Sequence, residues 1–250
     1  MKALITGASS GIGLDMARYL ATKKTELILV ARSKDKLEEI QKTLPTKVTI
    51  IVADLSNEQK VKELYTFIKK ENIDILINNA GFGKFGYLSD TSLSDELEMI
   101  NTNIKAVHIL TKQVLKDMEE RNSGYILNVA SSAAFQPGPL MATYYATKSY
   151  VYRLTEALYY EEKKKKKNIH VSVLCPGPVD TNFNNVAGVK FGVKALDSKY
   201  VAKYAIDEMF KNKMIIIPGF TLKLAKFFER FLSEKTLLRL AYKIQKKKAN

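Results

Sequence analysis

The sequence predicts an α/β domain: a Rossmann-like, doubly wound sheet of seven parallel strands with helices on both faces, followed by a C-terminal amphipathic helical extension. Three observations carry that prediction. Short β-branched and aliphatic runs alternate with longer stretches of helical period, the pattern of strand–helix–strand crossovers. The strand runs are almost continuously apolar, as in Ile50-Ile51-Val52 and Ile75-Leu76-Ile77, so both faces of the sheet are covered. The first strand also runs into a glycine-rich turn that opens a helix.

In chain order, strands are expected at Lys2–Thr6, Glu26–Ala31, Lys47–Ala53, Ile73–Asn78, Tyr125–Ala130, His170–Leu174 and Met214–Ile217. Helical period occupies Ile12–Thr22, Ser33–Leu44, Glu58–Lys70, a long segment from about Leu93 to Arg121, another from about Ala142 to Lys165, and Ser198–Lys211. The run Lys163–Lys167 falls where a long helix should end and reads as a solvated last turn whose cations suit the helix dipole.

At 250 residues the chain suits one large domain with an appended element, residues 1–219 and 220–250. With 46% hydrophobic and 26% charged residues it is neither disordered, collagen-like nor a polytopic membrane protein. One cysteine, Cys175, excludes a disulfide framework and a cysteine-built zinc site. Two histidines, His108 and His170, leave too few ligands for a transition-metal centre and read as structural or solvated. Met1-Lys2 runs directly into a strand, and the longest uncharged stretch, 122–147, is broken by Asn128, Gln136, Pro137 and Pro139. A soluble cytoplasmic protein is therefore expected.

The net charge of +14 does not by itself point to nucleic acid. Only six of the 40 basic residues are arginine, there is no tryptophan, and in the body of the chain no face mixes arginine with aromatics. Half the excess sits in residues 221–250, where nine Lys and Arg stand against two Glu.

Chemistry concentrates in four places. Thr6-Gly7-Ala8-Ser9-Ser10-Gly11-Ile12-Gly13 lets the backbone turn tightly and approach a pyrophosphate at a helix N-terminus. At the end of the second strand, where an NAD site would place Asp or Glu, the chain has Arg32, whose guanidinium can pair with a 2′-phosphate. NADP(H) is thus expected over NAD(H), the alternative being a solvated surface arginine. After the fourth strand, Asn79 can satisfy backbone groups where strands diverge, while Ala80 and Gly81 let a cofactor ring pass. Finally, Tyr144 and Lys148 lie four apart on a helix, thirteen residues beyond Ser131. A phenol can donate a proton to a forming alkoxide. An ammonium ~4 Å away at an effective dielectric of ~20 would favour its phenolate by roughly 4 kcal/mol and draw its pKa toward neutrality.

Together these motifs resemble the short-chain dehydrogenase/reductase family. The chain shows TGxxxGxG as Thr6–Gly13, Asp-Leu as Asp54-Leu55, NNAG as Asn78–Gly81, the serine as Ser131, YxxxK as Tyr144–Lys148, and PGxxxT as Pro176–Thr181. The resemblance covers at least residues 2–217 and implies the following roles. Tyr144 is the general acid/base, Lys148 binds the nicotinamide ribose, and Ser131 holds the substrate oxygen. Asn103 kinks a helix and anchors a relay water; Asn101 lies nearby but fits the register less well. Gly7, Ser9, Ser10, Gly11, Ile12 and Gly13 line the pyrophosphate, Asp54 and Leu55 the adenine side, and Pro176, Gly177, Val179 and Thr181 the nicotinamide side. Tyr145 and Ser132 are each one residue out of register. Ala130 replaces a common serine and Ala106 a common glycine.

The likeness is greatest to a bacterial branch similar to long-chain 3-oxoacyl reductases and 17β-hydroxysteroid-type dehydrogenases. It implies a homodimer or homotetramer. The loop at about 182–197 reads as an apolar lid, with Phe135, Leu140, Met141 and Tyr152 facing a cavity for a lipophilic carbonyl substrate. In the tail, apolar positions 224, 227, 228, 231, 238 and 241 recur at helical spacing among basic residues. That face is expected to pack on the body, on a second subunit or on an anionic membrane. A catalytically idle nucleotide sensor or membrane-associated protein on this scaffold is the competing reading. Such members lose the tyrosine or lysine, and this chain keeps both.

Overall fold

A computed structural model of the chain describes residues 1–183, 187–188 and 195–246. The apolar runs form the strands β1 (Lys2–Thr6), β2 (Glu26–Ala31), β3 (Val48–Val52), β4 (Ile75–Asn78), β5 (Gly124–Val129), β6 (Ile169–Leu174) and β7 (Ile215–Ile216). They make one seven-stranded sheet in the order β3-β2-β1-β4-β5-β6-β7, with every pairing parallel. Strand order reverses between β1 and β4, and this opens a crevice at their carboxyl ends.

Helices cover both faces. On one side α1 (Gly11–Thr22), α2 (Lys34–Thr43) and α7 (Ser198–Phe210) bury Met16, Leu20, Leu37 and Ile206 against β1 and β2. On the other, α3 (Glu58–Ile68), α5 (Val107–Arg121) and α6 (Ala142–Lys165) bury Leu64, Leu110, Val114 and Met118 against Leu4, Leu76 and Ile126. Local chemistry sets the helix ends. Asn57 accepts from the amides of Gln59 and Lys60 to start α3, and left-handed Asn122 and Lys166 stop α5 and α6. Beneath the crevice, Asn78 Nδ2 donates to Thr111 and to Asn128 at 2.9 Å each, and Asn128 Nδ2 donates to Thr155 at 3.0 Å. All four residues are buried, so this network ties β4 and β5 to α5 and α6 in one register.

The structure corrects one expectation. The stretch expected as one helix over 93–121 is α4 (Leu93–Ile100), a π-helical segment (Asn101–Ala106) and α5. Apolar periodicity registers the ends of such a helix but not one extra residue per turn inside it. The tail is helical, in two segments, α8 (Phe220–Glu229) and α9 (Glu234–Lys246). The Lys163–Lys167 run is the exposed end of α6, where Lys165 pairs with Glu119 and Glu162, and Lys167 donates to the Glu119 carbonyl. Most of the expected lid, residues 184–186 and 189–194, lies outside the described residues. After it, Leu196 bridges to Val179.

Candidate active site

The crevice between β1 and β4 is closed by backbone fitting against backbone. Gly7 and Gly11 adopt φ of +64° and +54°, a region that disfavours any side chain. A Cβ on Gly13 would stand 2.4 Å from Asn79 Nδ2 and 2.6 Å from the Gly7 carbonyl. Asn79 holds the turn in return: Nδ2 donates to the carbonyls of Thr6 (3.0 Å) and Gly7 (3.2 Å). The amides of Asn79 and Ala80 both donate to Thr6 Oγ1 at 3.0 Å. Across the crevice, Thr181 lies 3.0 Å from where a Gly11 Cβ would be. Ser10, the residue before α1, makes no side-chain cap, and the first turn carries no acid. The amides of this N-terminus and its positive dipole end are therefore left for an anion.

The residues expected at the adenine end stand at the ends of β2 and β3. Arg32 is exposed, and its Nη1 donates to Glu98 Oε1 of α4 at 3.1 Å. Asp54 Oδ1 accepts from both the amide (3.0 Å) and the hydroxyl (2.9 Å) of Ser56, while Leu55 is in the core. Pro176 receives the Ser132 amide at 2.8 Å. A Cβ on Gly177 would stand 3.5 Å from Leu222 of α8, and Val179 is buried.

At the other end of the crevice the four expected catalytic residues come together. Tyr144 and Lys148 are one turn apart on α6, both buried, with Lys148 Nζ 5.9 Å from the Tyr144 ring centre. Ser131, at the start of a 3-10 turn over Ser132–Phe135, accepts from the Ala133 amide at 3.1 Å, and its hydroxyl acts on the Tyr144 phenol to oppose the rise in its pKa. Asn103 lies fully buried in the π segment. It clamps Phe82, accepting from its amide (3.1 Å) and donating to its carbonyl (2.9 Å), and also donates to Thr147 Oγ1 at 3.1 Å. Gly81 joins the two ends of the crevice. A Cβ there would meet Asn103 Oδ1 at 2.8 Å and Lys148 Nζ at 3.2 Å.

Burial dominates the electrostatics. It pushes the Tyr144 phenol up to about 12, opposed by the Ser131 hydrogen bond, and pulls the Lys148 ammonium down to about 8. The expectation that the lysine draws the phenol toward neutrality is not met in this geometry. Lys148 donates to the Val129 carbonyl at 2.9 Å, and burial of the phenol is the largest influence on it. At neutral pH the site thus offers a protonated phenol beside an ammonium, a proton donor with a cation close by.

An apolar wall flanks the phenol. Phe183 packs on Tyr144 with ring centres 5.4 Å apart, and Met141, Phe82, Phe85, Met99 and Ala187 complete the cluster. Of the side chains expected to face a cavity, Met141 is in this wall, and Leu140 precedes it in the left-handed region at φ +67°. Phe135 and Tyr152 belong to a different cluster with Val151 and Cys175, where they hold Lys226 of α8. On the far side of Tyr144, Tyr145 packs on Gly138 and receives a hydrogen bond from Gln245 of α9.

Three residues in these contacts escape sequence reasoning. Glu98 faces Arg32 across 66 positions, which no local spacing reveals. Gln245 reaches Tyr145 across 100. Thr147 had a readable sign, lying three residues from Tyr144, whose carbonyl it caps at 2.7 Å while receiving Asn103.

A family model described as short chain dehydrogenase matches residues 1–189. A hydroxysteroid dehydrogenase-like protein 1 of Gallus gallus is 38% identical over 191 residues, 72% of this chain, and the match spans just over half (56%) of that protein's own length. Among solved structures, a short-chain dehydrogenase from Sphingobium yanoikuyae in complex with NADPH superposes with a TM-score of 0.83 at 26% identity, covering 92% of this chain and 93% of that one. A short-chain dehydrogenase/reductase from Burkholderia phymatum in complex with NAD superposes with a TM-score of 0.84 at 24% identity, covering 92% of each chain, a likeness of fold. With its reversing parallel sheet, interlocked glycine turn and full motif set, the chain belongs to the short-chain dehydrogenase/reductase family of oxidoreductases that bind nicotinamide dinucleotides.

Proposed function

We propose that the chain is an NADP(H)-dependent reductase of lipophilic carbonyl compounds, with Tyr144 as its general acid. The observation that carries the reading is the meeting of half-buried Ser131 with buried Tyr144 and Lys148 at the end of a crevice that Gly7, Gly13 and Gly81 keep free of side chains. A nicotinamide dinucleotide suits that crevice. Its pyrophosphate would take the uncapped N-terminus of α1, and its nicotinamide end would lie between Gly81 and Thr181. When bound, it supplies or accepts the hydride.

The chain's residues do the rest. Ser131 and Tyr144 hydrogen-bond the carbonyl oxygen. As the carbonyl carbon is reduced, the phenol gives its proton to that oxygen, and the Lys148 ammonium stabilises the phenolate left behind. Asn103 acts through others: by clamping Phe82 and Thr147 it fixes the loop after β4 against α6, which keeps Gly81 and Lys148 in place. The wall of Phe183, Met141 and Phe82 excludes water and favours an apolar substrate such as a 3-oxoacyl or steroid-like ketone.

Arg32 supports NADP(H) over NAD(H). Its exposed pairing with Glu98 is of the kind worth ~0–1 kcal/mol, so a 2′-phosphate could replace the carboxylate at small cost.

Tyr144→Phe tests the reading. Ketone turnover should fall ~10²–10⁴-fold while NADPH still binds, as followed by quenching of tyrosine fluorescence. Turnover within a few-fold of the parent protein would remove Tyr144 from the chemistry. NADPH binding with no turnover of any ketone by the parent protein would favour a nucleotide sensor.

A further inference from the structure

The tail helix α8 is mounted inside out. Counting around its axis, Leu222, Lys226 and Glu229 lie on one side and are the partly buried ones, turned to the body. Phe220, Leu224, Phe227, Phe228 and Phe231 lie on the opposite side and are exposed, Phe220 and Phe231 by 76% and 72%. A helix that packs only within its own protein turns its aromatic stripe inward, since each buried Phe contributes favourably and each exposed one does not. Here the lysine goes inward instead. Lys226 Nζ sits 4.3 Å from the Phe135 ring centre and donates to the Tyr152 hydroxyl at 2.7 Å.

Beside that stripe, α8 and β7 border an open surface cleft of about 330 Å³. It is lined by Ile215 and Ile217, by the edge of the stripe at Phe227, and by Lys213, Lys223, Lys226 and Arg230, with no acidic side chain among the lining residues. Burial already holds the Lys226 ammonium below the usual lysine range. The next helix continues the pattern: α9 docks through Ala241 and Gln245 and leaves Leu238, Leu240 and Ile244 exposed beside Lys235, Arg239 and Lys243. No described helix is long and apolar enough to cross a bilayer.

We infer that α8, with the exposed face of α9, is an interfacial docking surface for an anionic lipid bilayer. The Phe220/Phe227/Phe228/Phe231 stripe enters the acyl boundary, and the cleft walled by Lys213, Lys223, Lys226 and Arg230 receives a lipid phosphate. Charge decides against the other occupants. A second copy of this chain on the same face would oppose two sets of four cations, whereas an anionic leaflet complements them over a wide area. Aromatics flanked by cations at one depth are the composition such an interface selects. The inference does not depend on the oxidoreductase chemistry, because its readout is binding.

The test is co-sedimentation of the full chain with vesicles of phosphatidylcholine alone and with one part in three of phosphatidylglycerol. The chain should pellet with the anionic vesicles, poorly with the neutral ones, and less as salt rises. Phe228→Ser with Phe231→Ser should weaken this roughly 100-fold, about tenfold for each aromatic removed from the bilayer, with ketone turnover in solution unchanged. Lys223→Glu with Arg230→Glu should abolish the preference for phosphatidylglycerol. No pelleting with anionic vesicles, equal pelleting of the aromatic variant, or equal affinity for both vesicle types would overturn the proposal. So would light scattering that showed a larger assembly for the parent chain than for the aromatic variant, since a second copy would then own the face.

Discussion

The coenzyme half and the tail of this molecule are held by opposite means. Around β1 and β4, contacts run between backbone and short, fixed side chains: a Cβ on Gly13 would stand 2.4 Å from Asn79 Nδ2, and two amides share Thr6 Oγ1. Around α8 and α9, contacts run through the tips of long side chains, such as Lys226 to Tyr152, Lys223 to Tyr204, Gln245 to Tyr145 and Tyr242 to Tyr87. Backbone locking loses little entropy per contact and tolerates almost no substitution. Side-chain tethering must order long rotamer-rich groups for each bond, so it is weaker and easier to rearrange. One half presents fixed amides, the other rests on contacts that rearrange more easily.

On the coenzyme side, Lys148 should show the largest effect. Burial holds it near 8 in the folded chain against 10.5 when free, so the folded state binds fewer protons between those values and stability rises with pH across that window. Below about pH 8 the full penalty applies, up to about 3 kcal/mol. Lys148→Met should therefore abolish turnover yet raise the thermal midpoint at pH 7, with the gain shrinking as pH climbs toward 10. A midpoint lowered at pH 7 would mean that the bond to Val129 outweighs desolvation.

Next comes the locked turn. Gly13→Ala should cost ~1–3 kcal/mol in stability and a matching loss of NADPH affinity, because neither Asn79 nor the Gly7 carbonyl can move aside. Gly177→Ala, on the tail side, meets only Leu222 at 3.5 Å and should shift stability by less than ~0.5 kcal/mol. Equal melting shifts for the two variants would erase the contrast drawn between the halves.

Arg32→Ala should weaken NADPH by roughly 10–100-fold and leave NADH nearly unchanged, the worth of a charge-assisted hydrogen-bond pair. Equal losses for both coenzymes in a titration would assign Arg32 to Glu98 alone. The smallest effect is expected from Gln245→Ala, about 1 kcal/mol in chemical denaturation, since its Oε1 is already without a partner and only the bond to Tyr145 is lost.

Much of this was legible in the sequence because it is local. Strand runs such as Ala3-Leu4-Ile5 must be buried on both faces, and Gly7, Gly11 and Gly13 mark a backbone that cannot carry side chains. Tyr144 and Lys148 are brought together by one helical turn. What stayed hidden is either non-local or a matter of degree. Nothing near Arg32 announces Glu98, and no periodicity distinguishes a tail whose stripe faces in from one whose stripe faces out. The pKa of Tyr144 depends on how deeply α6 is covered, which is a property of the whole packing rather than of the four-residue spacing.

The π segment has a consequence for the length of this chain. Because Asn101–Ala106 carries a surplus residue, loss of one position there lets the helix from Leu93 to Arg121 run straight, and everything before the cut swings by ~100° about its axis. Glu96, which now receives both Thr91 and Thr143, would turn away from the mouth of α6, and Asn103 would leave Phe82. A single-codon deletion that breaks no strand would thus act like a clock hand moved by a quarter of the dial, turning Met99 out of the apolar wall and Asn103 away from the loop it clamps.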